Sequence, residues 1–107
     1  MSDIREFLGE HNMGITTLSK LIRIERESIR RYEDNPNRCT YKNRRKIELA
    51  LRMIRDENWV RPVLCKNEMV NIEDNFCLRE VHLRKVLKFE REFRERYREI
   101  LELERLV

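Results

Sequence analysis

The chain has 107 residues, of which 41% are charged, 40% hydrophobic and 7% aromatic. This composition is too polar for a membrane span, which needs about 18 or more consecutive apolar residues, and with only 2 Gly and 2 Pro an all-β sandwich is not expected. The formal net charge of +4 lies entirely in residues 1–63, where 14 Lys and Arg stand against 10 Asp and Glu, because residues 64–107 hold 10 of each.

The predicted elements are helices. The first begins at Ser2 or Asp3 and reaches about His11, the second covers about 15–22, and the third covers about 26–33 and ends at the turn-forming run 34–37. Because the amino terminus lacks the apolar run of a signal peptide and the 3 cysteines are an odd number, we expect a cytoplasmic protein without a disulfide framework.

A fourth helix is predicted from a Thr40 cap to about Asp56. It carries apolar residues at the spacing i, i+3, i+4 and i+7, which is typical of one buried helix face; they are Ile47, Ala50, Leu51 and Ile54.

The pattern changes over 58–73, which is either a linker or a short β-hairpin. Pro62 argues against a central strand. Trp59 is interpreted as an anchor that packs this segment against the first domain.

From about Asp74 to the end, the chain has no Gly or Pro and reads as one long helix. Apolar residues recur with a coiled-coil-like heptad spacing that is interrupted at Arg96. Such a stripe needs a partner, which is either the first domain or a second subunit. Because about 30 helical residues span about 45 Å, we favour a second subunit and assign dimerisation to Val86, Phe89, Phe93, Tyr97, Ile100, Leu103 and Val107.

The segment 15–34 has the pattern of two short helices that meet at a sharp angle. Apolar residues that join the two helices stand at Leu18, Ile22, Ile24, Ile29 and Tyr32. The small residue Ser19 stands where the helices cross. This pattern is typical of a helix-turn-helix, whose second helix can enter the major groove.

Residues 3–56 resemble the lambda-repressor/Cro-like domain of the XRE family of transcriptional regulators. The likeness rests on the run from Ile24 to Glu33 and on Lys-Ile-Glu-Leu-Ala-Leu at 46–51. The chain departs from the family at Arg23, where the usual residue is Gly, and at Glu25, where a capping Ser is usual. Arg23 is therefore expected near positive φ, which strains a residue other than Gly.

The resemblance implies a sequence-specific regulator that binds double-stranded DNA, of bacterial or phage type. Base contacts are expected from Arg26, Glu27, Ser28 and Arg30. Phosphate contacts, which position the protein without reading sequence, are expected from Thr16, Thr17, Lys20, Arg31, Arg38, Lys42 and Arg44.

The sequence thus predicts an all-α protein in three parts. Residues 1–57 form a helix-turn-helix bundle that binds DNA, 58–73 a linker or hairpin, and 74–107 a dimerisation helix. We expect a homodimer on an inverted-repeat operator, with a protein effector on the C-terminal helix as a further option. The alternative is a protein-interaction module, since acidic residues flank the third helix. Two scattered histidines and the lack of a Gly-rich loop indicate no enzyme, no cofactor and no metal site.

Overall fold

The computed structural model describes residues 4–63 and 72–106, with side chains described for 4–63 and 81–106. It contains α1 (Ile4–Glu10), α2 (Ile15–Ile22), α3 (Arg26–Asp34), α4 (Tyr41–Glu57) and α5 (Ile72–Glu104), with a 3₁₀ turn at Pro36–Arg38. No β-strand occurs in these ranges, so the all-α prediction is confirmed for them. None of their helices is long and apolar enough to cross a membrane.

The ends of α4 follow from its local sequence. The Thr40 side chain accepts a hydrogen bond from the Asn43 N–H at 3.3 Å, which caps the first turn as predicted. Asn58 ends the helix in the left-handed conformation, with φ at 51°, a role that Asn tolerates well. The predicted inner face is buried at Ile47, Ala50 and Ile54, and its fourth residue, Leu51, is half-buried.

The segment after α4 is extended and is fixed to the first domain at Trp59. The Trp59 N–H donates to the Ile54 carbonyl oxygen at 3.1 Å, and the Trp59 carbonyl oxygen lies 2.8 Å from Nδ1 of His11. The prediction that Trp59 anchors this segment is confirmed. The alternative prediction for this segment is a β-hairpin. Residues 59–63 form no strand, and residues 64–71 lie outside the described residues.

Helix α5 packs on the first domain of the same chain. Phe93 is fully buried, and Phe89 and Tyr97 are 7% and 4% exposed, in one hydrophobic cluster with the core residues of α1–α4. The Trp59 ring meets the edge of Phe93 at a centroid distance of 5.4 Å. The Tyr97 hydroxyl donates to the Lys46 carbonyl oxygen at 3.0 Å.

Ion pairs tie α5 to α4 around this apolar contact. Arg96 lies 2.8 Å from the Glu57 carboxylate, and Glu104 lies 3.4 Å from Arg45. Arg96, which interrupts the heptad pattern, therefore has a partner of its own at the edge of the contact.

The assignment of the α5 stripe to a second subunit is corrected by this packing. The chain itself covers Val86, Phe89, Phe93 and Tyr97, and Ile100 packs partly buried against the same core. Leu103 is 82% exposed, and Val107 lies outside the described residues. The length argument failed because the carboxyl-terminal half of α5 packs against α4 and brings Ile100 and Leu101 to the core, while Leu83 and Leu87 are exposed.

Candidate nucleic-acid interface

Helices α2 and α3 are held at a fixed angle by the turn 23–25. The Ser19 hydroxyl donates to the Ile24 carbonyl oxygen at 2.6 Å, and the Ile24 N–H donates back to the Ser19 carbonyl oxygen at 3.2 Å. Arg23 lies in the left-handed region with φ at 55° and ψ at 46°. The expected positive φ at Arg23 is therefore confirmed, and Ser19 is bonded to the turn between the two helices.

The inner face of the α2–α3 pair is apolar and buried. Leu18, Ile22, Ile24 and Ile29 are each at most 5% exposed, as the sequence pattern predicts, and Tyr32 is half-buried against the same cluster. Because this face fixes α3 from below, the opposite face of α3 is left at the surface.

The outer face of α3 is charged. Arg26, Glu27, Arg30 and Arg31 are all exposed, which confirms the prediction that they lie on the outward side of the helix. Nη1 of Arg30 lies 3.2 Å from Oε1 of Glu27 in an ion pair within the helix. Arg26 and Arg30 are four residues apart and therefore lie on one side of the helix.

Ser28 does not belong to this outer face, so the prediction that it points outward with Arg26 and Arg30 is wrong. It is only 9% exposed. The 3₁₀ turn after α3 folds back over it, and the Cys39 thiol donates to the Ser28 carbonyl oxygen at 2.9 Å. Helical spacing alone places Ser28 near the edge of the exposed face. Its burial depends on the 3₁₀ turn, which the spacing does not predict.

Three of the predicted phosphate contacts lie together on α2. Thr16 and Lys20 are exposed and Thr17 is half-buried, and they line a cavity of about 70 Å³ together with Arg61 and Glu90. The sequence reasoning missed Arg61 and Glu90. No sequence signal indicates Glu90, because its position follows from the packing of α5 on α2.

Arg61 reaches this cavity through backbone hydrogen bonds. Its N–H donates to the His11 carbonyl oxygen at 3.0 Å, and its own carbonyl oxygen accepts from the Asn12 side chain at 3.3 Å. These bonds fix the segment after α4 beside the loop that precedes α2. The residue thereby adds a cation close to Lys20, and Glu90 adds an opposing negative charge.

The remaining predicted phosphate contacts lie around the 3₁₀ turn and the start of α4. Lys42 is exposed. Arg38 is exposed but paired with Asp34 at 2.8 Å. Arg44 is half-buried, donates to Oδ1 of Asn37 at 3.3 Å and stacks on the Tyr41 ring with its guanidinium carbon 5.7 Å from the ring centroid. Lys42 is therefore the least constrained cation of this group.

Two titratable side chains beneath this surface are neutral at physiological pH. Burial raises the pKa of the Cys39 thiol, against the opposing effect of Arg31, and burial also raises the pKa of the Tyr32 phenol. Neither group adds negative charge that would repel an anion at the surface above it.

No set of three or more His, Cys, Asp and Glu side chains among the described residues is arranged to hold a metal ion. No protein-family model matches the chain, and neither the curated proteins nor the solved structures contain a significant match to it.

Proposed function

We propose that this chain binds double-stranded DNA through α2 and α3, as a helix-turn-helix regulator of transcription similar to the lambda-repressor/Cro-like domain. One observation carries the proposal: α3 is fixed by a buried face that includes Ile29, while its opposite face exposes Arg26, Glu27, Arg30 and Arg31. A short helix held in this way can enter a major groove about 12 Å wide without rearrangement of the core.

The chemistry of the outer face fits base edges. An Arg guanidinium can donate two hydrogen bonds to guanine, and a Glu carboxylate can accept from the amino group of cytosine. Arg26 and Arg30 share one side of α3 with Glu27 between them in sequence, so we assign these three residues to base contact. On binding, Arg30 is expected to exchange its surface pair with Glu27 at 3.2 Å for a base, since exposed pairs of this kind contribute only about 0–1 kcal/mol.

The surrounding cations fit the phosphate backbone. We assign phosphate contact to the side chains along α2, at the end of α3 and around the start of α4, namely Thr16, Thr17, Lys20, Arg31, Arg38, Lys42 and Arg44. The net charge of +4 in residues 1–63 against zero in 64–107 supports this assignment, because a positive surface attracts DNA independently of sequence.

We propose that one chain occupies one half-site. A homodimer on an inverted repeat would place a second α3 about 34–36 Å away, yet the α5 residues expected to form its interface, among them Phe89, Phe93 and Tyr97, are covered within the chain. Selection of bound sequences from random duplex DNA separates the two arrangements. Enrichment of a single short site would support the binding of one chain to one half-site. Enrichment of an inverted repeat would show that another surface joins two copies.

The same selection tests the proposed function. It is followed by measurement of the binding affinity of the chain for the selected duplex and for a scrambled duplex at several salt concentrations. Arg30→Ala is expected to weaken the selected site while it leaves the scrambled duplex almost unchanged. Lys42→Ala is expected to weaken both duplexes alike and to reduce the salt slope by roughly 1, the share of one phosphate contact. Ser28→Ala serves as a matched control on the same helix and should change neither affinity. Failure to enrich any sequence, with no salt-dependent binding, would refute DNA binding.

A protein-interaction module is the second candidate, and the ion pairs of the surface favour it. Arg30 is paired with Glu27 at 3.2 Å and Arg38 with Asp34 at 2.8 Å, so two of the proposed DNA-contacting cations already have acidic partners. In this case the selection would enrich no DNA sequence. The Arg30→Ala variant would then bind its protein partner less tightly, with no effect on binding to a duplex.

A further inference from the structure

A groove of about 350 Å³ lies between α1, α3 and α4. Its volume falls at the low end of the roughly 300–1,000 Å³ that is typical of small-molecule sites. The floor is apolar and is formed by Ile4, Phe7, Tyr32 and Leu51, of which Ile4 is buried and the other three are half-buried. None of the residues proposed for DNA contact lines this groove, so the inference below does not depend on DNA binding.

The rim of the groove is basic. Three arginines of α4 line it, Arg45, Arg52 and Arg55, together with the single carboxylate of Glu48. Glu48 lies 3.5 Å from Arg45, and Asp56 lies 2.9 Å from Arg55, so Arg52 is the rim arginine whose guanidinium group is held least closely by a carboxylate. An apolar floor beside one loosely paired guanidinium group is complementary to a molecule that has an apolar body and one negative charge.

The chain already places a carboxylate at this rim. Glu104, in the last turn of α5, lies 3.4 Å from Arg45 and 3.9 Å from Arg52. At 3.9 Å the contact with Arg52 is long for a charge-assisted hydrogen bond, which is about 2.7–2.9 Å. The Arg52 side chain is also 49% exposed. Arg52 is thus available to a better-placed acceptor.

We propose that this groove binds an amphiphilic monocarboxylate, a small organic acid with an apolar chain or ring. The apolar body lies on the floor formed by Ile4, Phe7 and Leu51, and the carboxylate binds Arg52 in place of Glu104. Because Glu104 belongs to α5, the bound acid also releases the last turn of α5 from α4. The site therefore links a ligand in the first domain to the carboxyl-terminal helix.

The test is a titration of the full chain, labelled with ¹⁵N, with octanoate and separately with octan-1-ol as the uncharged match. We expect saturable octanoate shifts that are confined to the residues of the groove and the end of α5. Glu104→Gln should tighten octanoate binding about fivefold because it removes the competing carboxylate, and Arg52→Gln should weaken it about fivefold, a change within the range of an exposed ion pair. Neither variant should alter the binding of octan-1-ol.

Both substituted side chains are partly exposed, at 49% for Arg52 and 36% for Glu104, and thermal unfolding of each variant checks that the fold is retained. Octanoate shifts that do not saturate, or an octanoate affinity unchanged in both variants, would overturn the proposal. Shifts at Phe7 and Leu51 that depend on protein concentration without octanoate would also overturn it, because they would show that a second copy of the chain occupies the groove.

Discussion

The substitution Phe93→Ala tests whether α5 is part of the first domain's core. Phe93 is fully buried and lies among three other aromatic rings, with centroid distances of 5.4 Å to Trp59, 5.9 Å to Phe89 and 6.4 Å to Tyr97. Loss of the ring would leave a cavity between α5 and the segment after α4, at the centre of the contact that replaces the expected subunit interface.

The expected cost is large. Truncation of a buried Phe to Ala destabilises a protein by about 3–5 kcal/mol, and aromatic pairs add about 0.5–1.5 kcal/mol beyond their buried area. With three ring neighbours, we expect a value near 4 kcal/mol or above within that range. A chain of this size has a free energy of unfolding of roughly 5–15 kcal/mol, so Phe93→Ala removes about a quarter of it or more and lowers Tm by about 15 °C or more.

Urea unfolding, followed by the fluorescence of Trp59, measures this cost directly, since Trp59 is the only tryptophan and lies against the substituted ring. The measurement is made at two protein concentrations that differ about tenfold. Leu103→Ala is the matched control on the same helix, because Leu103 is 82% exposed and its truncation should cost no more than about 0.5 kcal/mol.

A loss below about 1 kcal/mol for Phe93→Ala would refute the packing of α5 on the core, since truncation of a buried Phe typically costs about 3–5 kcal/mol. An unfolding midpoint that rises with protein concentration in the unsubstituted chain but not in Phe93→Ala would also refute it, because that difference indicates a partner subunit that covers Phe93. We expect one midpoint at both concentrations.

Three further predictions concern single side chains. Arg23→Gly should raise the free energy of unfolding by about 0.5–1 kcal/mol in urea titrations, because Gly adopts the left-handed conformation without the strain that Arg pays there; an unchanged or lower value would contradict this strain. Burial raises the pKa of the Tyr97 hydroxyl above its ordinary value, so the contribution of Tyr97 to stability is present below about pH 10 and is lost as the pH rises further. Tyr97→Phe should cost about 1 kcal/mol at neutral pH, because the hydrogen bond to Lys46 is lost, and stability should then fall less steeply at alkaline pH. An equally steep alkaline fall in the variant would contradict this prediction. The Arg96 guanidinium lowers the pKa of Glu57, so the stabilising effect of this ion pair is present above the unfolded-state pKa of about 4.3 and is lost as the pH falls through the lower pKa of the folded state. Glu57→Gln should therefore make the free energy of unfolding less sensitive to acid. Identical acid profiles of the two proteins would exclude the pair as a source of stability.

The helices of the first domain are predictable from sequence because their signals are local. Thr40 caps α4, and the spacing of Ile47, Ala50 and Ile54 defines its inner face, so both the bounds and the core of this helix follow from neighbours within a few residues. The αL residue at Arg23 follows in the same way, from a turn that places one residue where a Gly is usual. These features need no knowledge of the rest of the chain.

The features that sequence reasoning missed depend on contacts between distant segments. The stripe that contains Phe89 and Phe93 requires a cover for α5 but does not identify it, because the packing of α5 on α2 and α4 joins residues that are far apart in the sequence. The burial of Ser28 likewise depends on the path of the 3₁₀ turn. Met53 is only 2% exposed, and its burial depends on the covering of a second face of α4. Helical periodicity describes one face at a time and does not predict which of two neighbouring faces a later segment will cover.

The way α5 closes over α4 has a practical consequence for any attempt to study the two parts of the chain separately. A fragment that stops at residue 57 would keep every side chain proposed to touch DNA, yet it would present to solvent the apolar surface that α5 normally shields, and such surfaces promote aggregation. Loss of DNA affinity in that fragment would then report a collapsed scaffold rather than a missing contact, so single substitutions in the intact chain are the sound route to assigning roles.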